Sequence, residues 1–191
     1  MTQTAPALAR APDCTLVVLD VQTRATAAVP PADADSVCHA IAMTLRAAQA
    51  LALPVIYTEH TDPPLGAIDA RIASALPESA FAVRKTTYCA WADDPFANAV
   101  EIAARRQIVI CGLQTHVGVL QTAVAMAACD YRVFVPEDAV CSHDAALTRN
   151  ALHRLRADRV AVTNCESLLY EWLAESEHAV RQQVLSILQE S

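Results

Sequence analysis

Short apolar runs alternate with longer segments of helical periodicity along this chain. The first run, residues 14–19 (CTLVVL), is continuously apolar, as in a strand that is buried on both faces. Val37, Ile41 and Leu45 then recur at the spacing of one helix face. The same alternation predicts five more strands, over residues 54–57, 81–84, 107–111, 131–135 and 159–162. It also predicts helices over residues 68–76, 94–105, 117–129, 144–156, 168–174 and 178–188.

Strands that alternate with helices predict an α/β fold, here a three-layer α/β/α Rossmann-like sandwich with a mainly parallel six-stranded sheet. Residues 1–12 are rich in Ala, Pro and Thr and are predicted to form a flexible tail, and residues 13–191 a single domain. In such folds ligands bind outside the carboxyl ends of the strands, where the strand order reverses. The residues that follow each predicted strand are therefore the candidates for chemistry.

Composition and charge exclude several classes of protein. The chain has 191 residues, a net charge of −7 and 3 glycines. The sequence contains neither the GxGxxG nor the P-loop motif, so the two best-known phosphate-binding loops are excluded. A nucleotide-binding, flavodoxin-like protein fits the strand pattern but lacks a phosphate loop after the first strand. No basic stripe for nucleic acid and no apolar run long enough to span a membrane is present, so neither partner is predicted.

The cysteines and histidines indicate the compartment and argue against a metal site. The seven cysteines are widely spaced, odd in number and include no CxxC pair. Without a recognisable secretory signal, this pattern predicts free thiols in a reducing, cytoplasmic compartment. The six histidines do not pair with cysteines or carboxylates at metal-ligand spacing, so neither a metal nor another cofactor is predicted.

Three residues stand out as candidates for chemistry. Asp20 ends the first apolar run, where a partly desolvated carboxylate suits proton transfer, although a helix N-cap explains it equally well. Lys85 is the only lysine among 14 basic residues, and it follows the third predicted strand. A single lysine at that position suggests a task that arginine cannot fill, although chance would also explain it. Gly118 lies near the first turn of a predicted helix, where glycine costs up to about 1 kcal/mol relative to alanine. Close packing or room for a ligand would explain that choice.

Other residues near the same crevice have a weaker case. Gly112 follows the fourth predicted strand and suits a turn with positive φ. His60 and His116 flank the crevice, where a histidine is more often structural than catalytic. Cys89 lies close to Lys85 in sequence. Apolar side chains on the last helices, Trp172, Leu173, Val184 and Leu188, suit either a subunit interface or packing within the chain.

Three motifs, in this order, resemble those of the isochorismatase-like hydrolases, a superfamily that includes nicotinamidases and related amidohydrolases. They are LVVLDVQ at residues 16–22, KTTYCAW at residues 85–91 and GLQTHVGVLQTA at residues 112–123. The segments EDAVCSHD, residues 137–144, and NCES, residues 164–167, are also similar. The resemblance covers residues 14–173. It depends on finding all the motifs in this order, because each motif alone is weakly specific.

The resemblance implies a role for each candidate. Asp20 would be the general acid/base and Lys85 the cation beside it, orienting substrate as well. Gly118 falls where the amidohydrolases have a nucleophilic cysteine, so a thioester route is closed. True isochorismatases also have glycine there and cleave a vinyl ether, with the aspartate as proton donor and water as the attacking group. The segment after the second strand lacks the stretch that binds isochorismate, which argues against isochorismate as the substrate.

The resemblance also implies a substrate-binding shell and a backbone feature. The amides near Val117 and Gly118 would stabilise developing negative charge. A cis peptide is expected at Leu113–Gln114. The implied substrate-binding residues are Gln22, His60, Tyr88, Trp91, Leu113, Gln114 and Val117.

The leading hypothesis is therefore an isochorismatase-like hydrolase that acts on a small-molecule substrate through the Asp20–Lys85 pair, without a cysteine nucleophile. The family resemblance implies a homo-oligomer, a dimer or a tetramer. Two alternatives remain open. The chain is either a catalytically silent member that serves as a binding module, or an amidohydrolase in which Gly118 has replaced the nucleophilic cysteine.

Overall fold

A central parallel sheet organises the part of the chain that the computed structural model describes, residues 8–61, 64–174 and 176–189. Its seven strands are β1 (Cys14–Leu19), β2 (Val55–His60), β3 (Phe81–Lys85), β4 (Gln107–Leu113), β5 (Arg132–Pro136), β6 (Val140–Cys141) and β7 (Ala161–Thr163). Their order in the sheet is β3–β2–β1–β4–β5–β7, and the short β6 pairs with the end of β4. All the strand pairs are parallel, so the predicted α/β class is confirmed.

Helices cover both faces of the sheet. They are α1 (Thr23–Ala27), α2 (Pro31–Ala50), α3 (Ala70–Ala73), α4 (Asp94–Ala103), α5 (Leu120–Ala128), α6 (Ala145–Ala157), α7 (Cys165–Leu173) and α8 (His178–Gln189). One hydrophobic core packs α2, α7 and α8 against the sheet, and the other packs α4, α5 and α6 against its opposite face. The three-layer arrangement is thus confirmed.

The position of strand β1 explains why its residues form a continuous apolar run. Successive side chains of a strand point to opposite faces. Leu16 and Val18 therefore enter the core beneath α2, and Val17 and Leu19 enter the core on the other face. All four are fully buried. A strand in the middle of a three-layer sandwich has no side that faces water.

The sequence missed one strand and misplaced some boundaries. Six strands were predicted; β6 is only two residues long, too short to give a periodic signal. The helix predicted over residues 94–105 ends at Ala103, because Ala104 takes a left-handed conformation, and its N-cap is Asp93. The helix predicted from residue 117 starts instead as a π-helical turn, Thr115–Val119, that leads into α5.

The chain ends pack against the domain where they are described. Residues 1–7 of the predicted flexible tail lie outside the described residues. Ala9 is buried and donates its N–H to Glu171 Oε2 at 2.7 Å. Trp172, Leu173 and Val184 are buried in the core of this chain, so their apolar character reflects packing within the chain. No helix in the described ranges is both long and apolar enough to cross a membrane.

The strand order defines where a site is expected. After β1 the chain moves outward through β2 and β3, then returns to the other side of β1 with β4. The order therefore reverses between β1 and β4, and the crevice outside their carboxyl ends is the usual ligand site of such sheets. Asp20 follows β1 and Gln114 follows β4 at this point.

Gly112 allows β4 to pass close to β1 beside this crevice. Its φ is +129°, and a Cβ built there would overlap the carbonyl oxygen of Leu19, the residue before Asp20. We expect Gly112→Ala to lower the free energy of unfolding by about 2–4 kcal/mol, because both the backbone conformation and the contact become strained. Urea denaturation measures this.

Gly118→Ala is the matched control for Gly112→Ala. A Cβ at Gly118 meets its nearest neighbours at 3.5 Å, an ordinary contact, and the φ of Gly118 is not positive. That variant should keep or slightly raise the stability. An equal loss of stability in the two variants would contradict the role assigned to Gly112.

Asp69 holds the segment that follows Asp20. Its N–H donates to the carbonyl of Val21, and its carboxylate accepts from Thr26 Oγ1 at 2.9 Å and from Arg71 Nη2 at 2.7 Å. Its carboxylate also accepts from the backbone N–H of Arg71 and so caps α3. The hydrogen bonds from the Arg71 side chain are the main reason that the pKa of Asp69 is lowered to about 2.

We expect Asp69 to make stability depend on pH in the acid range. Because its pKa is lower in the folded than in the unfolded chain, its contribution is fully present above about pH 4 and is lost as the pH falls towards 2. Asp69→Asn should remove about 2 kcal/mol of stability at pH 7 and little near pH 2. Urea denaturation at several pH values measures the difference. The control is Asp35→Asn, which changes the exposed partner of the same arginine and should have a small effect on stability. A loss of stability in Asp69→Asn that does not depend on pH would contradict the argument.

Candidate active site

Asp20 stands at the carboxyl end of β1 with its carboxylate turned into the crevice. It is 6% exposed and has a φ of +52°, a conformation that aspartate tolerates better than most residues. The Thr58 hydroxyl donates to Asp20 Oδ1 at 2.6 Å and accepts the Asp20 N–H at 3.1 Å. One threonine on β2 thus fixes both the main chain and the carboxylate of Asp20.

Lys85 completes a buried ion pair with Asp20. It ends β3, two strands away from β1, and its side chain reaches across the end of β2. Its Nζ donates to Asp20 Oδ2 at 2.6 Å and to the carbonyl of Thr87 at 2.9 Å. The Lys85 side chain has no exposed surface. In this position it contacts Asp20 and not the open crevice, and the expectation that it orients substrate stays a prediction.

The faces of β2 and β3 explain why these side chains meet. Thr58 and His60 are two residues apart on β2 and so point to the same face. In the parallel register they pair with Val83 and Lys85. The sequence analysis missed Thr58. The signal that would have found it is a polar residue two positions before His60, in a strand that extends to His60 rather than ending at Tyr57.

Gly118 lies directly beside the Asp20 carboxylate. A Cβ built at Gly118 would lie 3.5 Å from Asp20 Oδ2, 3.5 Å from the carbonyl oxygen of Tyr88 and 3.8 Å from that of Leu113. These are ordinary van der Waals contacts, so a Cβ would fit here and would touch the Asp20 carboxylate. Neither the backbone conformation nor close packing requires glycine here. What distinguishes this position is that a side chain would begin directly beside the carboxylate.

The turn before Gly118 is closed by its own hydrogen bonds. The peptide between Leu113 and Gln114 is cis, as expected. The Val117 N–H donates to the Gln114 carbonyl at 3.0 Å, so this amide is already used, contrary to the expectation that it stabilises charge on a substrate. The Gln114 side chain accepts from the His143 N–H at 2.8 Å.

Two residues expected to bind substrate have structural contacts instead. Gln22 is 1% exposed, and its side-chain amide is bonded to the main chain of His60 and to the carbonyl of Gly66. Its role is to hold the loop that follows β2. Trp91 turns its indole towards α5, where Nε1 donates to Cys129 Sγ and the ring meets Tyr131 edge-on. The structure therefore does not bring Trp91 to the Asp20–Lys85 pair.

His60 and Tyr88 form a stacked pair at the site. Their ring centroids are 5.2 Å apart and their planes differ by 13°. His60 is 3% exposed, whereas Tyr88 is 56% exposed. The carbonyl oxygen of Tyr88 also lies 3.5 Å from the position that a Cβ would take at Gly118. These two predicted substrate-binding residues are thus brought together, one buried and one at the mouth of the crevice.

His116 and His143 lie on the β4–β6 side of the crevice. The Nδ1 of His116 is 2.9 Å from Ser142 Oγ, and the two imidazole rings meet edge-on. Burial, followed by the proximity of His143, lowers the pKa of His116. The residues in the described ranges include no group of three or more histidine, cysteine, aspartate or glutamate side chains arranged for a metal ion.

None of the seven cysteines takes the place of the missing side chain at Gly118. All seven are free thiols. Cys89 is closest in sequence to the site residues, but its Sγ donates to the carbonyl of Gln121 on α5 at 3.6 Å. Burial raises the pKa of Cys111, and it raises that of Cys141 to about 12, which disfavours their reactive thiolate forms.

Known protein families include one that matches this chain over most of its length. A family model described as the isochorismatase domain matches residues 14–167. The chain is 27% identical over 147 residues to isochorismatase domain-containing protein 1 of Danio rerio, covering 77% of this chain but only 51% of that protein. It is 29% identical over 156 residues to isochorismatase domain-containing protein 2 of Xenopus laevis, covering 78% and 71%. The chain thus spans about half the length of the first of these relatives.

Solved structures share the fold. One, described as the MAR1 ribonuclease of Caenorhabditis elegans, superposes with a TM-score of 0.88 at 21% identity and covers 96% of this chain and 93% of that one. Another, the YcaC gene product of Escherichia coli, is described as an octameric hydrolase of unknown specificity. It superposes with a TM-score of 0.85 at 20% identity and covers 96% of this chain and 92% of that one. At these identities the likeness shows the fold alone.

Proposed function

This chain belongs to the isochorismatase family, and from that premise we propose that it is a hydrolase that cleaves a small-molecule substrate with Asp20 as the proton-transfer group and without a covalent enzyme intermediate. Lys85 holds the Asp20 carboxylate in place. Water, rather than a side chain of the enzyme, attacks the substrate from the space beside Gly118.

The observation that carries this proposal is the geometry around Asp20 Oδ2. This oxygen is 2.6 Å from Lys85 Nζ and 3.5 Å from the position that a Cβ would take at Gly118. A buried ion pair is therefore present next to a position where a nucleophilic side chain could start but does not. A small molecule at that position would lie within reach of the carboxylate.

The proposed step transfers one proton through Asp20. Both carboxylate oxygens accept hydrogen bonds, from Thr58 and from Lys85, and these contacts fix the orientation of the group that would accept a proton from water. The water oxygen forms a bond to the electrophilic carbon of the substrate, the bond to the leaving group breaks, and Asp20 returns the proton to that group. With a vinyl ether the order reverses. A protonated Asp20 gives its proton to the terminal carbon of the double bond, and water adds to the resulting oxocarbenium carbon and returns a proton to Asp20. The hemiketal so formed then breaks its carbon–oxygen bond, moves its hydroxyl proton to the leaving oxygen, and releases a ketone and an alcohol.

The residues around this space would contact the substrate. Gly118 leaves room for it, and the main chain of Leu113 and Gln114 forms the wall on the β4 side. Tyr88 and His60 lie on the β3 side. Gln22, Trp91 and Val117 would act indirectly, by supporting these segments.

A small molecule is favoured over RNA, although one structural neighbour is described as a ribonuclease. Binding to a phosphate backbone depends on accessible lysine and arginine side chains. The net charge of this chain is −7, and its arginines form no basic stripe along the sequence. We also propose that the chain forms a homo-oligomer in the cytoplasm; the octameric assembly described for YcaC supports self-association in this fold.

Parallel screening of the wild type, Gly118→Cys and Gly118→Ala against vinyl ethers, amides and esters tests the proposed function. We expect the wild type to hydrolyse at least one compound with no covalent adduct by mass spectrometry. Gly118→Cys should gain hydrolysis of amides or esters through a thioester, since its Sγ would start next to Asp20. Gly118→Ala adds the Cβ without the sulfur and should not gain hydrolysis of amides or of esters.

The screen also separates the alternatives. No hydrolysis by the wild type, with amidase activity only in Gly118→Cys, would overturn the proposed function and favour a silent member of the family. Wild-type turnover that forms a covalent adduct would overturn the water-based mechanism.

A further inference from the structure

Thr58 on β2 is a fully buried threonine whose hydroxyl group contacts Asp20 twice. Its oxygen accepts the Asp20 N–H at 3.1 Å, and its O–H donates to Asp20 Oδ1 at 2.6 Å. A hydroxyl group has one hydrogen to donate. That hydrogen goes to the carboxylate, because the N–H of Asp20 is itself a donor. The Thr58 hydroxyl is thus used as donor and as acceptor on the same residue.

The first of these contacts holds the main chain of Asp20. The φ of Asp20 is +52°, a left-handed conformation that a residue with a side chain keeps only where its surroundings hold it. The Asp20 carbonyl accepts from the Gln22 N–H at 2.8 Å, and the Asp20 N–H donates to Thr58. The hydroxyl of Thr58 therefore stabilises the turn that directs the carboxylate into the crevice.

The second contact fixes the plane of the carboxylate. Lys85 Nζ holds Oδ2 at 2.6 Å, but one hydrogen bond leaves a planar group free to pivot about the atom that it holds. The Thr58 bond to Oδ1 removes this freedom. In the orientation that results, Oδ2 is the nearer of the two oxygens to the position of a Cβ at Gly118, at 3.5 Å.

We propose that Thr58 is a positioning residue that holds the Asp20 carboxylate with Oδ2 towards Gly118, so that Oδ2 is the oxygen that exchanges the proton. The inference rests on the proposed function, because it concerns the same reaction. Thr58 acts only through Asp20. A shift of about 1 Å in a reacting group can lower the rate about a hundredfold, so a hydroxyl that fixes this group should affect turnover strongly.

Two substitutions separate the hydroxyl from the shape of the side chain. Thr58→Val keeps the branched shape and removes the hydroxyl, whereas Thr58→Ser keeps the hydroxyl and removes the methyl group. We expect Thr58→Val to lower kcat about 10–100-fold and to change KM by less than about twofold, because the loss falls on the reacting step. Thr58→Ser should stay within about threefold of the wild type.

The solvent deuterium isotope effect on kcat adds a measurement that a purely structural role would not change. Proton transfer through a misplaced carboxylate is slower and so limits turnover more. We therefore expect a larger isotope effect in Thr58→Val than in the wild type or in Thr58→Ser. Urea denaturation shows that each variant is folded under the assay conditions. If Thr58→Val does not fold, Thr58→Ala takes its place, because it removes the same hydroxyl without placing a methyl group against the Asp20 N–H.

Thr15→Val is the matched control. Thr15 is also fully buried, and it lies near the opposite end of β1 from the crevice. Its hydroxyl oxygen has no hydrogen-bond partner among the described residues, so the same substitution removes no hydrogen bond there. Thr15→Val should keep or raise the stability and leave kcat within about twofold of the wild type.

Crystal structures of Thr58→Val and Thr58→Ser test the inference without turnover. We expect the Asp20 carboxylate to turn away from the orientation described above in Thr58→Val and to keep it in Thr58→Ser. An unchanged carboxylate in Thr58→Val, an unchanged kcat in that variant, or an equal fall of kcat in both variants would overturn the inference. If the wild type hydrolyses nothing in the substrate screen, the hydrolase proposal fails. The orientation of Asp20 in the two crystal structures then decides alone whether Thr58 positions it.

Discussion

Asp20→Asn is expected to lower kcat/KM by about a thousandfold, the usual range for the loss of a general acid–base group. Asparagine has the same shape and can still accept from Thr58, but it cannot take up or return a proton. The measurement is kcat/KM for the compound that the wild type hydrolyses in the screen. Circular dichroism and urea denaturation should be run on the same samples, because the substitution leaves Lys85 without its counter-charge.

Asp13→Asn provides the matched control. Asp13 is also ion-paired, with Arg10 at 2.9 Å, but it lies at the opposite end of β1 from the crevice. Its substitution should leave kcat/KM within about twofold of the wild type, in line with the small effects of exposed pairs. Full activity in a folded Asp20→Asn protein would refute the proposed mechanism.

Lys85→Met is expected to cause the largest loss of stability, about 3–5 kcal/mol at pH 7. Methionine fills a similar volume but leaves the Asp20 carboxylate, which is 9% exposed, without its cation. Removal of one partner from a buried pair costs more than removal of both, because the remaining charge is uncompensated. Activity should fall as well, since Asp20 loses the group that positions it.

A double-mutant cycle measures the coupling directly. The Asp20→Asn/Lys85→Met protein should be more stable than the sum of the two single changes predicts. Arg84→Met is the control, because Arg84 is exposed on the neighbouring position of β3 and points to the other face. Additive effects of the two single substitutions would show that the pair contributes nothing as a pair.

Lys85→Arg tests why this chain keeps a single lysine. Arginine preserves the charge, and arginine is used at 13 of the 14 basic positions of this protein. Yet the Lys85 side chain has no exposed surface, and its Nζ fits between a carboxylate oxygen and a carbonyl oxygen. A planar guanidinium is larger and needs more acceptors. We therefore expect Lys85→Arg to retain only part of the stability and little of the activity.

Sequence patterns predicted most of the fold and drew attention to the residues that meet at the carboxyl end of β1. The burial of a strand on both faces appears in its own residues, so β1 was predicted with its observed ends. The carboxyl ends of parallel strands meet at one edge of the sheet, so Asp20 and Lys85 could be expected near each other. Gly118 stood out because a chain with so few glycines places one where a helix starts.

Other parts of the site could not be predicted in this way. Whether Gln22 faces a ligand or the main chain of His60 depends on the path of the loop after β2, which no periodic pattern encodes. The direction of the Trp91 indole depends on the packing of α5, a contact between segments far apart in sequence. The strand β6 exists only because residues 140–141 meet the end of β4.

By itself, then, the sequence determined which segments are buried, the α/β class and the residue types at the strand ends, because burial and strand periodicity are local properties of the chain. Only the tertiary structure decided that Thr58 holds Asp20, that Lys85 is sealed from solvent and that Gly118 lies beside the carboxylate. These contacts join residues from different strands, and their geometry depends on the register and twist of the sheet, to which all the strands contribute.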